Sequence, residues 1–306
     1  MYFCFFIVML MKKITYFLVL FFIWLIYLMP FRLMYCFSDF LYFIFFYIIK
    51  YRKKVVLLNL HNSFPEKNEK EIQLIAKKFY KHLCDILLEG IKGFKISKKQ
   101  ILKRHRLINP EFLNSYFERG QSVIVATAHY SNWEWGSLSG GLQTKFNLIG
   151  FYKPLTNNDI DTLLQNSRAK CGMKLISIFE TYKTFVKSKD EVFAYVLASD
   201  QSPSNHKKAY WVDFLHHETA CLHGIEKYAK LYNYPVLYIH IYRIKRGYYE
   251  IEIKKIIENP SEYKDGEITK LYMEMLEKII IENPYEWLWS HRRWKKTRKE
   301  TLEQNA

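Results

Sequence analysis

The sequence predicts an α/β fold: a mixed, mostly parallel central sheet covered by helices, with an N-terminal hydrophobic, membrane-anchoring helical segment. Three observations predict it. Short apolar runs at 122–128, 191–197 and 235–242 alternate with stretches of helical period, the pattern of buried strands under helices. At 248–253, Tyr249, Ile251 and Ile253 alternate with Glu250 and Glu252, which predicts an antiparallel or edge strand with one wet face. The first fifty residues are almost without charge.

The 306 residues suffice for one large domain or two small ones, and half of them are hydrophobic. Lys and Arg total 46 against 30 Asp and Glu, a net charge of +16. That excess calls for a nucleic acid, an anionic membrane surface, an acidic protein or an anionic substrate. Five scattered cysteines (Cys4, Cys36, Cys84, Cys171, Cys221) show no CxxC or metal-type spacing. They read as reduced, small buried side chains and exclude a disulfide framework or a zinc site.

Residues 14–29 carry no charge, and 33–49 are apolar apart from Asp39; the run Lys50-Tyr51-Arg52-Lys53-Lys54 follows. About 17–20 apolar residues are enough for a span. Basic residues on both sides favour a hairpin or a partly interfacial pair with both ends cytosolic, with a single span plus an interfacial helix as the competitor. Met11-Lys12-Lys13 resembles a natural start, so Met1 and Met11 are both candidate first residues. The division is an anchor over 1–54 and a catalytic domain over 55–306.

Residues 55–65 read as a connector ending at Pro65. A helix is expected over 66–92, with Ile72, Ile75, Phe79, Leu83, Ile86 and Leu87 on one stripe. The basic stretch 95–106 reads as a solvated face. Strands are expected at 147–151 and 173–178, helices at 156–171 and 181–188, and a polar loop from Ala198-Ser199-Asp200-Gln201 to Ala209. Then follow an extended piece at 211–215, a helix over 219–232 and an amphipathic helix over 266–282.

The stretch SVIVATAHYSNWEWG, residues 122–136, reads as a buried strand, a polar turn and a helix start near Asn132. His129 ends the strand and Glu134 follows five positions later. In open α/β sheets ligands sit beyond the carboxyl ends of strands. A carboxylate on one imidazole nitrogen fixes the tautomer and leaves the other free to take a proton from a hydroxyl. Free N–H groups at the helix start can hold an anion. The bland alternative is a satisfied His at a strand end and a first-turn Glu. No Ser or Cys lies in a nucleophile-elbow pattern, so direct attack by a substrate hydroxyl is the economical chemistry. Asp200-Gln201 ends another buried strand and faces the same edge if the strands are parallel; a turn Asp is the alternative. Arg168 either binds phosphate or is merely exposed. In EWLWSHRRWK, residues 286–295, three tryptophans interleave with cations. This suits a nucleic-acid stacking surface, an interfacial belt or packing within the fold.

HYSNWEWG, NLHNSFPE, KPLTN with Arg168, ASDQSP, DFLHHETA and PYEWLWSHRRWK together resemble the late acyltransferases of lipid A biosynthesis, the lauroyl and myristoyl transferases. These belong to the lysophospholipid acyltransferase-like group. The resemblance runs from about residue 15 to 296. It implies an HX4E pair, with His129 as base and Glu134 as its carboxylate partner, and Arg168, Asp200, Gln201 and Asn132 around the substrate. It also implies an acyl thioester on acyl carrier protein as donor, a lipid A precursor as acceptor, no metal and no cofactor. The expected place is the bacterial inner membrane, with the active site on its cytosolic face. Another lipid acceptor (a lysophospholipid, aminolipid or glycolipid) is the nearest alternative. A membrane-tethered nucleic-acid-binding protein is a remote one, since no nucleic-acid motif is found. One departure stands out: Phe214-Leu215-His216-His217 replaces a common Phe-Phe-Gly or Phe-Leu-Gly, which bears on the acyl-binding wall and chain length.

Overall fold

A computed structural model describes residues 2–187, 191–206 and 209–303, with side chains from residue 11 onward except Leu302. Its strands are β1 (His105–Leu107), β2 (Val123–Thr127), β3 (Asn147–Tyr152), β4 (Met173–Ser177), β5 (Phe193–Ala198), β6 (Tyr210–Phe214), β7 (His217–Cys221), β8 (Val236–Lys245) and β9 (Tyr248–Ile257). Among the described residues, seven of them form one sheet in the order β1-β9-β8-β2-β5-β3-β4, while β6 and β7 form a separate hairpin. Strands β8, β2, β5, β3 and β4 run parallel, and β9 runs antiparallel to β8. The mixed, mostly parallel sheet of the sequence reading is therefore the observed one.

The central strands are buried on both faces. Val123 and Val125 of β2 point into one core, with Leu113 and Tyr116 of α6 (Pro110–Glu118) and Trp135 and Leu138 of α7 (Trp133–Ser139). Ile124 and Ala126 point into the other, with Tyr228 of α10 (Gly224–Tyr232) and Tyr272 and Leu276 of α11 (Glu267–Glu282). Period-two side chains facing two helical layers explain why these strands read as unbroken apolar runs. Each large apolar side chain so buried contributes about 1.5–3 kcal/mol before entropy is counted.

α4 (Glu69–Gly93) is the long helix on which the other layers rest. Asn68 caps it: its side chain accepts from the Glu71 N–H, and the Glu71 carboxylate accepts from the Asn68 N–H. The expected stripe is buried from Ile72 to Ile86, but Leu87 is exposed. Leu88 is buried in its place, against Ile26 and Met34.

α1 (Tyr2–Leu28) and α2 (Phe31–Phe43) meet at Pro30, and a π-helical turn, Ile44–Ile48, follows. Met11–Leu28 and Phe31–Ile48 are long and apolar enough to cross a membrane by length and composition. Lys92 of α4 donates to the carbonyls of Ile26, Tyr27 and Met29 at 2.9, 2.8 and 2.5 Å, holding the free carbonyl end of α1.

Several boundaries differ from expectation. The connector at 55–65 contains α3 (Lys53–Ser63), which buries Val56 and Leu60 and anchors Asn59 on the Trp289 and His291 carbonyls. The basic stretch from 95 folds into α5 (Lys98–Arg104) and β1, with Ile101 and His105 buried beneath exposed lysines. Residues 217–221 are strand β7, so α10 starts only at Gly224; the cross-strand ladder to β6 outweighs a helical pattern there. β9 is antiparallel but not an edge, because β1 pairs outside it. α8 (Asn158–Ala169) and α9 (Thr181–Lys187) match their expected helices, and Ser188 lies outside the described residues. Cys36 is exposed, unlike buried Cys84, Cys171 and Cys221.

The Phe-Leu-His-His departure is a matter of turn geometry. Leu215 and His216 form the two-residue turn between β6 and β7, with φ of 49° and 64°. That left-handed pair suits Gly or Asn, whereas a side chain there clashes with its own backbone. His216 is exposed. His216→Gly should raise stability by about 0.5–1 kcal/mol, since relief of the turn outweighs added freedom of the unfolded chain. Thermal melting of the detergent-solubilised protein checks this; an unchanged or lower midpoint contradicts it.

Candidate active site

β2 and β5 run side by side in parallel, with Thr127 opposite Ala198. Two residues further along each strand, His129 stands across from Asp200. The parallel ladder thus brings together two side chains that are 71 positions apart in sequence. His129 Nδ1 lies 2.8 Å from Asp200 Oδ1, and the His129 backbone N–H donates to Asp200 Oδ2 at 3.0 Å. The Trp287 indole donates to the same Oδ2 at 2.9 Å. His129 Nε2 makes no hydrogen bond to a described residue, and the Trp133 ring stands edge-on to the imidazole at 5.4 Å between centroids.

The expected His129–Glu134 pairing is corrected. Glu134 Oε2 accepts from the Arg168 guanidinium at 2.7 Å, so these two form a separate ion pair, each partly exposed. Glu134 sits in the first turn of α7, while the register of β2 and β5 has already filled the Nδ1 position with Asp200. Glu134 acts on His129 through its charge. Burial alone lowers the His129 pKa, but the Asp200 charge and hydrogen bond, aided by Glu134 and opposed by Arg168, leave it above its ordinary value. Burial pushes Asp200 upward, yet the imidazole, the indole and the backbone N–H hold it at about 2.

Asn132 is taken up by the fold. It is fully buried, its Oδ1 accepts from the Trp135 N–H at 3.0 Å, and its Nδ2 donates to Glu89 Oε2 at 2.5 Å. It builds the turn as the cap of α7. Gln201 is half-buried beside Asp200, and the next N–H, of Ser202, donates to His291 Nε2 at 3.2 Å.

The turn between His129 and α7 is held from three sides. Ser131 adopts φ 53°, and its N–H donates to the Glu286 carbonyl at 3.0 Å. The Leu288 N–H donates to the His129 carbonyl at 3.1 Å. The Trp-rich C-terminal stretch therefore pairs with the His129 turn. Trp287 and Trp289 are buried, as is Arg293, which donates to the Ala220 carbonyl. Packing within the fold is what this stretch shows: half-buried Trp294 donates to the Thr219 hydroxyl.

Glu89 lies beneath the turn, where it accepts from Asn132, Tyr249 and Tyr35. Burial raises it to about 7. His105, held near 3 by burial, lies 3.1 Å from the Asn132 carbonyl. Sequence reasoning missed Glu89, His105 and the role of Trp287. One signal was available: a carboxylate at Leu88-Glu89-Gly90 interrupts the apolar side of α4. Among the described residues, no group of three or more His, Cys, Asp or Glu side chains could hold a metal ion.

This base-like histidine at the strand ends coincides with a family match. The chain matches the profile of the bacterial lipid A biosynthesis acyltransferases over residues 7–296. It belongs to that family. Two relatives agree. The lipid A biosynthesis lauroyltransferase of Escherichia coli K12 is 25% identical over 253 residues, covering 81% of this chain and 80% of its own. The lipid A biosynthesis acyltransferase of Haemophilus influenzae Rd is 24% identical over 236 residues, covering 76% and 72%.

The Asp200 clasp predicts a titration. Asp200→Asn removes the charge that raises His129 and leaves burial, so the His129 pKa should fall well below its wild-type value. NMR titration of labelled histidine measures this; an unmoved His129 resonance contradicts it.

Proposed function

We propose that the protein moves a fatty acyl chain from a thioester on acyl carrier protein to a hydroxyl of a lipid A precursor. The observation that carries this reading is the state of His129: Nδ1 is held by Asp200, and Nε2 of the half-buried ring makes no hydrogen bond to a described residue. A neutral imidazole so held has its lone pair on Nε2. It takes the proton from the acceptor hydroxyl as that oxygen attacks the thioester carbonyl. The tetrahedral oxyanion collapses, the C–S bond breaks, and the thiolate recovers the proton from the imidazolium. Asp200 stabilises the imidazolium in between.

Glu134 and Arg168 have a different part in this reading. Glu134 fixes the guanidinium, and Arg168 faces the oxyanion or an acceptor phosphate. Of the first-turn N–H groups of α7, that of Trp135 is already taken by Asn132. The +16 charge suits an acidic carrier protein and a phosphate-bearing acceptor at the cytosolic face of the inner membrane. The twelve-carbon preference suggested by the E. coli relative's name is part of the proposal.

The test is transfer from acyl carrier protein thioesters of graded length to a lipid A precursor, with lysophospholipid as the competing acceptor. Wild type should acylate the lipid A precursor, and His129→Ala should lose about 10²–10⁴-fold in rate while remaining folded. Full activity of His129→Ala overturns the base assignment; transfer to the lysophospholipid alone overturns the acceptor.

A further inference from the structure

We infer that α1 and α2 lie in the plane of a single leaflet and do not cross the bilayer. This does not rest on the reaction proposed above. Both helices pass the length and composition test for a span. What argues against a crossing is how they are fastened.

α1 is fixed to the catalytic domain at both ends of its apolar stretch. Near its start, the Asn157 side chain donates to the Lys12 carbonyl at 3.1 Å, while the same side chain caps α8. At its end, Lys92 holds the carbonyls of Ile26, Tyr27 and Met29. Between the two, Ile23 and Ile26 are buried, and Tyr16, Val19 and Leu20 are partly covered, at helical spacing. At ~1.5 Å per residue, Lys12 to Met29 covers about 26 Å. A bilayer's hydrocarbon core is about 30 Å thick. A crossing α1 would therefore carry its two attachment points to opposite faces. The polar surface around it, including exposed Lys153, Asn158 and Asp159, would sit in hydrocarbon.

α2 gives a second, independent observation. Tyr35 and Ser38 donate to Glu89 and Asp85, and Asp39 pairs with Arg246 at 2.8 Å. These contacts occupy the middle of the Phe31–Ile48 stretch, where a span would have the bilayer centre. Asp39 is about half exposed there, and an exposed ion pair at that depth is costly. In the plane of a leaflet it lies at the headgroup level.

The opposite faces of both helices suit hydrocarbon. Phe17, Phe21, Phe22 and Trp24 of α1 are 50–65% exposed, and Leu33, Phe40 and Phe43 of α2 are 51–56% exposed. Lys12, Lys13, Arg32, Lys50 and Arg52 flank them, all exposed, and complement anionic headgroups. Apolar face, basic rim and polar inner contacts are the pattern of an in-plane helix. The elements beneath α1 matter for the site: α8 carries Arg168, and Gly90 of α4 leaves room beside Glu134. An in-plane α1 thus sets the Glu134–Arg168 pair beside the leaflet from which a lipid would enter.

The full-length protein with Cys4→Ser and Cys36→Ser, in phosphatidylcholine–phosphatidylglycerol vesicles, tests this. A fluorophore is placed at Ile14→Cys, Phe21→Cys or Leu28→Cys, and its depth is read with lipids carrying a nitroxide at carbon 5 or carbon 12. The inference expects all three labels at one shallow depth, each quenched more strongly by the carbon-5 lipid. A deep Phe21→Cys label between two shallow ones overturns it. A second measurement applies an impermeant maleimide to sealed membranes, with Lys299→Cys marking the side of the catalytic domain. Lys12→Cys and Arg32→Cys should both react from that side; reaction of Lys12→Cys only from the other side overturns the inference.

Discussion

The site depends on one buried carboxylate. Asp200 is almost fully buried and accepts three hydrogen bonds, from the His129 ring, the His129 backbone and the Trp287 indole. Burying a lone carboxylate is costly, and it is tolerated here because each oxygen is satisfied. The three donors come from two places in the chain: the end of β2 and the C-terminal stretch. With β5 carrying Asp200 itself, one side chain joins three segments. Its removal would leave an indole donor buried and the imidazole free to rotate.

The surrounding layers support that clasp. The 284–289 segment pairs with 129–131 and closes one side of the turn. From below, Glu89 of α4 holds Asn132, and Asn132 caps α7. Glu134 then points to Arg168 rather than back to the histidine. The two carboxylates have different partners: Asp200 holds the imidazole, while Glu134 holds the Arg168 guanidinium.

Much of this was legible in the sequence, and the exceptions have physical causes. The strands were visible because β2, β5 and β8 are buried on both faces and so read as unbroken apolar runs. His129 and Asp200 were each visible as polar residues ending such strands, and their meeting followed if the strands were parallel. Their direct bond was not legible, because register is set by the whole ladder and not by any local motif. Glu134 looked like the partner because it is near in sequence. The capping role of Asn132 was not legible, because a cap and a binding residue share the same chemistry. α3 and β7 were misread because their tertiary partners, Trp289 and β6, outweigh local pattern.

The most direct test compares the pH dependence of kcat/KM in wild type, Asp200→Asn and Glu134→Gln. If Asp200 holds and charges His129, the acid limb lies above the ordinary imidazole value in wild type, because the base works only when neutral. It should move furthest toward lower pH in Asp200→Asn, since the largest source of raised pKa is gone, with a smaller shift in Glu134→Gln. A limb that moves with Glu134→Gln and stays in place with Asp200→Asn would contradict the account.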